Sequence, residues 1–153
     1  MFLSKTDFLK GLDCVKALWL QKNRKDLIAP ENEAERRRFD IGNLVQEIAR
    51  NLYPEGVLVS LNTTDVMIDS RKTKELSKNH DILFEATAHN PNGAFCRIDI
   101  MERNGTRWNL IEIKSAASVK DEYINDLAFQ KYIFENAGYP IARCKVLDRK
   151  SVV

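Results

Sequence analysis

The sequence predicts a single α/β domain in which helices pack against a mixed sheet. At 153 residues, the chain is long enough for one hydrophobic core and too short for two. Apolar residues make up 44% of it and charged residues 30%, a balance typical of folded globular proteins. Helix-like and strand-like hydrophobic patterns also follow one another along the chain. We therefore treat residues 1–153 as one domain.

Helical patterns come first. Ser4-Lys5-Thr6-Asp7 fits a capping box, which predicts a helix from about residue 5 to residue 21. A second amphipathic helical pattern follows and ends at Pro54. Residues 57–61 predict a short strand, and residues 63–76 predict a shorter helix or an irregular segment.

Strands dominate the second half of the sequence. Asn-Pro-Asn-Gly at 90–93 and Asn-Gly at 104–105 are turn sequences that separate three strand patterns. Gly138 and Pro140 end a helical pattern that precedes a last strand. The predicted strands cover 82–88, 94–101, 107–114 and 141–147, and the predicted helix covers 120–136.

Composition restricts the function classes. The chain has 24 Lys and Arg residues against 22 Asp and Glu residues, so its total charge neither demands nor excludes a polyanionic partner. Its three cysteines, Cys14, Cys96 and Cys144, favour reduced thiols over a disulfide framework, and hence a cytoplasmic location. Charges interrupt the first residues and no run of about 18 apolar residues occurs. We expect neither secretion nor a membrane partner.

The residues that carry most chemical information lie in the hairpin over 94–114. With Asn104-Gly105 at the centre of a type I′ turn, Arg103 would pair with Thr106, and Asp99 would face Leu110. Side-chain alternation then puts Asp99, Glu112 and Lys114 on one face. The opposite, apolar face takes Ile98, Ile100, Ile111 and Ile113.

This charged face has two interpretations. It is either a solvated surface, on which Lys114 makes a weak ion pair, or a cation site. As diagonal neighbours with Cβ atoms under about 7–8 Å apart, Asp99 and Glu112 can bind one hard divalent ion. Trp108 and Leu110 share their face, which indicates a covered surface, and covered carboxylates require a compensating cation.

Asp99 followed by Glu112-Ile113-Lys114 resembles the D…(D/E)xK signature of PD-(D/E)XK nucleases, in particular the RecB-type exonuclease branch. Residues 3–8 and 14–20 are similar to the opening of uncharacterised bacterial RecB-like domains and of CRISPR-associated relatives. Residues 126–130 look like the Gln-containing helix of that branch. The resemblance implies a restriction-endonuclease-like mixed sheet flanked by helices. It also implies an exonuclease-like deoxyribonuclease that hydrolyses DNA phosphodiester bonds.

The resemblance implies a role for each matching residue. Asp99 and Glu112 would be ligands of Mg²⁺, Ile113 would offer its carbonyl oxygen, and Lys114 would act near the attacking water. Gln130 would contact a phosphate or orient the site; the alternative is a polar residue at a helix boundary. Mn²⁺ should substitute because the ligands are oxygen atoms. The implied partner is DNA, within larger repair, phage or CRISPR-associated machinery.

The sequence also departs from the RecB-type pattern. Gln46 stands where a metal-binding His is common, and the adjacent Glu47 is either its replacement as a ligand or a surface residue of the helix. Phe134 stands where the RecB-type pattern usually has Tyr, so Tyr123 is a candidate for the role of that Tyr. Some relatives hold an iron–sulfur cluster with four cysteines, three of which lie near the C-terminus. Cys144 is the only cysteine near the C-terminus of this sequence, and we therefore predict no cluster.

Glu85 is a further candidate metal ligand. A three-residue loop at 91–93 would set it opposite Asp99, whereas a two-residue loop would turn it to the other face of the sheet. The departures leave an alternative function open, a catalytically degenerate module of the same fold that binds nucleic acid or a partner.

Overall fold

The computed structural model describes residues 2–30, 32–59, 65–116 and 120–152. Its helices are α1 (Lys5–Asp13), α2 (Val15–Asn23), α3 (Glu33–Arg50), α4 (Val66–Leu76), α5 (Asp121–Asn136) and α6 (Arg149–Val152), with a 3₁₀ turn at Lys25–Leu27. Its strands are β1 (Val57–Leu58), β2 (Ile82–His89), β3 (Phe95–Asn104), β4 (Arg107–Lys114) and β5 (Ile141–Asp148). The predicted strand at 57–61 and helix at 63–76 extend into positions 60–64, outside the described residues.

The five strands form one mixed sheet in the order β1-β2-β3-β4-β5. The central strands β2, β3 and β4 are antiparallel, while β1 and β5 run parallel to their neighbours. Apolar side chains fill both faces of the sheet, with α5 packed on one face and α3 on the other. The fold class is therefore α/β, as predicted. Across the described ranges, none of the helices combines the length and apolar character that a membrane span requires.

The first predicted helix, over 5–21, is wrong in its extent because the chain forms two helices there. Cys14 adopts an extended conformation with φ −162°, and its Sγ accepts the Ala17 N–H at 3.4 Å to begin α2. The second helix turns back on the first, so that a Cβ at Gly11 would lie 3.2 Å from Leu18 Cδ2. No Gly-Pro punctuation marks this break, which is why the periodic pattern runs through it.

Asp7 joins the two helices of this hairpin. Its side chain is 4% exposed, accepts the Ser4 N–H at 2.9 Å in the predicted capping box, and accepts Lys22 Nζ at 2.6 Å. Burial alone would raise the pKa of Asp7, but the bonds from Lys22 and Ser4 hold that pKa below its usual range. The carboxylate is therefore a stabilising, charged link between α1 and α2.

We expect Asp7→Ala to lower the free energy of unfolding by about 2 kcal/mol, because it removes a cap and the buried partner of Lys22. The urea midpoint of circular dichroism unfolding measures this change. Asp13→Ala is the matched control, since Asp13 is exposed at the carboxyl end of the same helix, where a negative charge is not stabilising. Equal midpoints for the two variants would contradict the role of Asp7.

The register of the β3–β4 hairpin differs from the prediction by two residues. Arg103 pairs with Trp108 and Asn104 with Arg107, so Gly105 and Thr106 occupy the turn. Gly105 has φ +62° while Thr106 has no positive φ, the pattern of a type II′ turn with Gly first. The predicted pairing of Asp99 with Leu110 is therefore wrong. In the observed register, Met101 pairs with Leu110, and Asp99 follows the last pair, Ile100 with Ile111.

Side-chain alternation also breaks near Asp99. Ile98 packs in the α5 layer with Leu110, whereas Ile100 packs in the α3 layer, so the single apolar face predicted for four isoleucines is wrong at Ile98. Across from Asp99, Glu85 has φ +56° and interrupts the pairing of β2 with β3. This irregularity explains why the period of two fails here.

Candidate functional site

The site begins where β3 and β4 separate. Their pairing stops at Ile100 and Ile111, and Asp99 occupies the next position of β3. Asp99 Oδ2 accepts the Ile113 N–H at 2.7 Å, and Oδ1 accepts Gln46 Nε2 of α3 at 2.8 Å. Its carboxylate therefore lies between the two strands and is only 8% exposed.

Glu112 is surrounded by donors from three elements. Its Oε1 accepts Lys114 Nζ at 2.8 Å and Lys5 Nζ at 2.7 Å, while its Oε2 accepts Gln130 Nε2 at 2.7 Å. The donors come from β4, the first residue of α1 and the middle of α5. The long-range contact that no sequence pattern indicated is the one with Lys5.

Asp126 of α5 completes this group. Its Oδ2 accepts Lys114 Nζ at 2.7 Å, and its Oδ1 accepts Gln130 Nε2 at 2.7 Å and lies 3.3 Å from Lys5 Nζ. Both ammonium groups thus bridge the same two carboxylates. We call the following six residues the site cluster: Lys5, Asp99, Glu112, Lys114, Asp126 and Gln130.

Charge and burial set the protonation of the cluster. Burial, with the charge of Glu112 added to it, raises the pKa of Asp99 to about 7, against the effect of the Ile113 N–H. Burial alone would lower the pKa of Lys114 and Lys5, but the carboxylates outweigh it and hold both pKa values above their usual range. Both lysines are therefore hydrogen-bond donors and not bases near neutral pH.

Of the predicted site residues, Lys114 and Gln130 both contact Glu112, while Asp99 contacts Ile113 and Gln46 and interacts with Glu112 through charge. Ile113 contributes its N–H to Asp99. The β2–β3 loop is the three-residue form, since His89 pairs with Phe95 and Asn90 N–H donates to the Ala94 carbonyl.

The two additional carboxylates lie on the α3 side. Pairs on either side of Glu85 set it opposite Asp99, and its carboxylate accepts Arg50 Nη2 at 2.5 Å. Glu47 is exposed on α3 and lines the same cleft as Glu85. Gln46, which stands where a metal-binding His is common, donates a hydrogen bond to Asp99 Oδ1.

Aromatic residues of α5 have separate positions. Phe134 is fully buried and packs against Tyr139, with ring centroids 5.6 Å apart. Tyr123 lies near the cluster, with Lys114 Nζ 5.1 Å from its ring centroid, a cation–π arrangement. Tyr123, and not Phe134, is thus the aromatic side chain of α5 that contacts the charged residues of the site.

Clefts lie beside the site in both layers of the sheet. A cleft of about 700 Å³ lies beside α3 and is lined by Phe39, Asn43, Gln46, Glu47, Arg50, Glu85 and Arg97. A smaller one of about 240 Å³ lies between α1 and α5, and its lining includes Lys114, Tyr123 and Asp126. The first cleft is lined by Gln46, which contacts Asp99, and the second by Lys114 and Asp126, which belong to the site cluster.

The site contains oxygen donors of the kind that a hard divalent cation prefers. Among the described residues, no three His, Cys, Asp or Glu side chains are arranged to hold a metal ion. Mg²⁺, however, commonly uses one or two carboxylates and completes its coordination with water and substrate oxygens, and Asp99 and Glu112 can supply those two. Gln130 Oε1 is also buried without a hydrogen-bond partner, so the site holds an unsatisfied oxygen.

Comparison of the sequence with models of known protein families and with curated proteins gave no match. The resemblance to PD-(D/E)XK nucleases therefore stays a prediction. The interpretation of the site depends on its geometry and charges, which the described residues supply directly.

Proposed function

We propose that the chain is a divalent-metal-dependent nuclease that hydrolyses phosphodiester bonds of DNA. The observation that carries the proposal is the separation of β3 from β4, which brings a buried Asp99 beside the Glu112-Ile113-Lys114 segment. Burial beside Glu112 makes the charged form of Asp99 unfavourable, and a bound cation would stabilise that charge.

The cluster offers each function that phosphodiester hydrolysis requires. Asp99 and Glu112 would hold Mg²⁺ or Mn²⁺, with the Ile113 carbonyl as a further ligand, and the ion would lower the pKa of bound water and neutralise phosphate charge. Lys114 is charged and can donate to an oxygen of the scissile phosphate. Gln130 fixes the orientation of Glu112 through its amide N–H group.

The environment of the cluster supports the same proposal. Arg50 and Arg97 line the cleft beside α3. Each can bind a phosphate group if the phosphate replaces the carboxylate with which the arginine now pairs. We place the activity in the cytoplasm, in keeping with three cysteine thiols, and within a larger DNA-processing system of repair, phage or CRISPR-associated type.

A second candidate is a binding module of the same fold without catalysis. One observation favours it: both oxygens of Glu112 and both oxygens of Asp99 already accept hydrogen bonds from protein donors. Such a module would bind DNA through charge and leave the strands uncut.

The test is a cleavage assay with end-labelled single-stranded and double-stranded DNA, in Mg²⁺, in Mn²⁺ and in EDTA. We expect cleavage with either metal ion and none in EDTA. Glu112→Gln should abolish it, whereas the matched control Glu102→Gln should not, because Glu102 lies on β3 and pairs with Lys145 away from the site. Binding without cleavage by the unaltered protein would favour the second candidate and overturn the proposed activity.

A further inference from the structure

The backbone fixes Lys5 at the site. Leu3 bridges the β2–β3 loop, since its N–H donates to the Gly93 carbonyl at 2.7 Å and its carbonyl accepts the Phe95 N–H at 2.9 Å. The capping box at Ser4 then begins α1 directly, so Lys5 starts the helix. On the next turn, Phe8 stacks on Phe129 of α5, with ring centroids 4.5 Å apart. Lys5 is thus placed above β4 and α5 by packing and by backbone hydrogen bonds.

Lys5 makes the same type of contact as Lys114. Its Nζ lies 2.7 Å from Glu112 Oε1, the oxygen that also accepts Lys114, and 3.3 Å from Asp126 Oδ1. Its side chain is 22% exposed, so water and ions reach it. A single carboxylate oxygen therefore carries two ammonium donors, and a divalent ion that coordinates this oxygen must displace one of them.

The two lysines differ in how firmly they are held. Lys114 has two short contacts, at 2.8 Å to Glu112 and 2.7 Å to Asp126. Lys5 has one short contact and one longer one, and its other anchor, Asp126, stays available when Glu112 is taken. The ammonium that leaves Glu112 more readily is therefore that of Lys5.

We propose that Lys5 is a second functional lysine of the site, whose ammonium competes with the divalent ion for Glu112 Oε1. This inference rests on the proposed function and adds to it a residue outside the D…(D/E)xK pattern. Without a metal ion, Lys5 neutralises Glu112. When the ion binds, the ammonium of Lys5 moves toward Asp126, where it is free to contact an anionic oxygen of the substrate phosphate.

Isothermal titration of Mn²⁺ into the full chain, without DNA, tests this competition. We expect Lys5→Met to bind Mn²⁺ about tenfold more tightly than the unaltered protein, because the competing cation is gone. Lys5→Arg keeps the charge and should bind close to the unaltered affinity. Lys16→Met is the matched control, since Lys16 is exposed on α2, and it should change the affinity less than about twofold through long-range charge alone.

The outcomes separate the two proposals. If the unaltered protein binds Mn²⁺ and Lys5→Met matches Lys16→Met, the competition is disproved while the metal site stands. If the unaltered protein, Lys5→Arg and Lys5→Met all fail to bind Mn²⁺, the proposed nuclease itself fails, and the competition with it. If Lys5→Met does not fold, Lys5→Gln takes its place. A Lys5→Gln variant that binds Mn²⁺ no more tightly than the unaltered protein would also disprove the competition.

Discussion

Asp99→Asn is expected to abolish DNA cleavage and, at the same time, to make the metal-free protein more stable. The first effect follows because a carboxylate ligand of the ion is lost, which removes several kcal/mol of transition-state stabilisation, or at least about 1000-fold in rate. The second follows because Asp99 is a buried charge beside a second carboxylate. An asparagine keeps the shape and can still accept the Ile113 N–H.

The pH dependence of the pKa of Asp99 determines at which pH Asp99→Asn is the more stable protein. The pKa of Asp99 rises from 3.8 to about 7 on folding, so its stabilising contribution is complete below about pH 4 and is lost as the pH rises to about 7. Asp99→Asn does not lose stability in this way, because asparagine does not ionise. Even half of such a shift corresponds to about 2 kcal/mol, which in a chain of this length is about 5 °C in Tm. The variant should therefore melt higher than the unaltered protein at pH 8 and nearly equally at low pH.

Calorimetry in EDTA and in Mn²⁺ measures the gain in stability and the loss of the metal ligand, and the cleavage assay measures the loss of activity. In EDTA at pH 8 the variant should have the higher Tm, and Mn²⁺ should raise only the Tm of the unaltered protein, because the ion binds its folded state. Asp40→Asn is the control, since Asp40 is exposed on α3. A variant that is less stable at pH 8, or that gains as much from Mn²⁺ as the unaltered protein, would contradict this account of Asp99.

Local patterns in the sequence predicted most elements, because such patterns depend on neighbouring residues. The strand predicted over 107–114 has the bounds of β4, and the helix predicted over 120–136 differs from α5 by one residue. The failure at Cys14 is also local. A periodic apolar pattern continues through residues 5–21, whereas the break is made by the extended backbone of Cys14, whose Sγ accepts the Ala17 N–H to begin α2.

The site required tertiary information that spacing does not hold. A turn that used Gly105 as its first central residue, and not its second, shifted the pairing by two positions, so that Leu110 pairs with Met101 and not with Asp99. Because the register shifted by an even number of residues, the predicted side-chain directions of Glu112 and Lys114 did not change. Lys5, in contrast, is 107 residues from its partner Glu112, and no periodicity links two such positions.

Lys114→Met is expected to reduce the rate of cleavage by about 100-fold or more, with little change in DNA affinity. The substitution keeps the length of the side chain and removes a charge that Glu112 and Asp126 hold in place at 2.8 Å and 2.7 Å. Lys5 still neutralises part of the cluster, so the fold should tolerate the change. The loss should then appear in kcat, because the ammonium acts on charge that develops during the reaction.

The pH profile distinguishes this role from proton abstraction. Since the carboxylates hold the pKa of Lys114 above its usual range, the residue stays charged throughout the working range, and kcat should show no ionisation of an amine up to about pH 9. Lys145→Met is the control, because Lys145 is a β5 lysine paired with Glu102. Single-turnover rates for both variants would decide the role of Lys114. If Lys114→Met cleaves at the unaltered rate, the ammonium has no part in the chemistry and the cluster is a structural one.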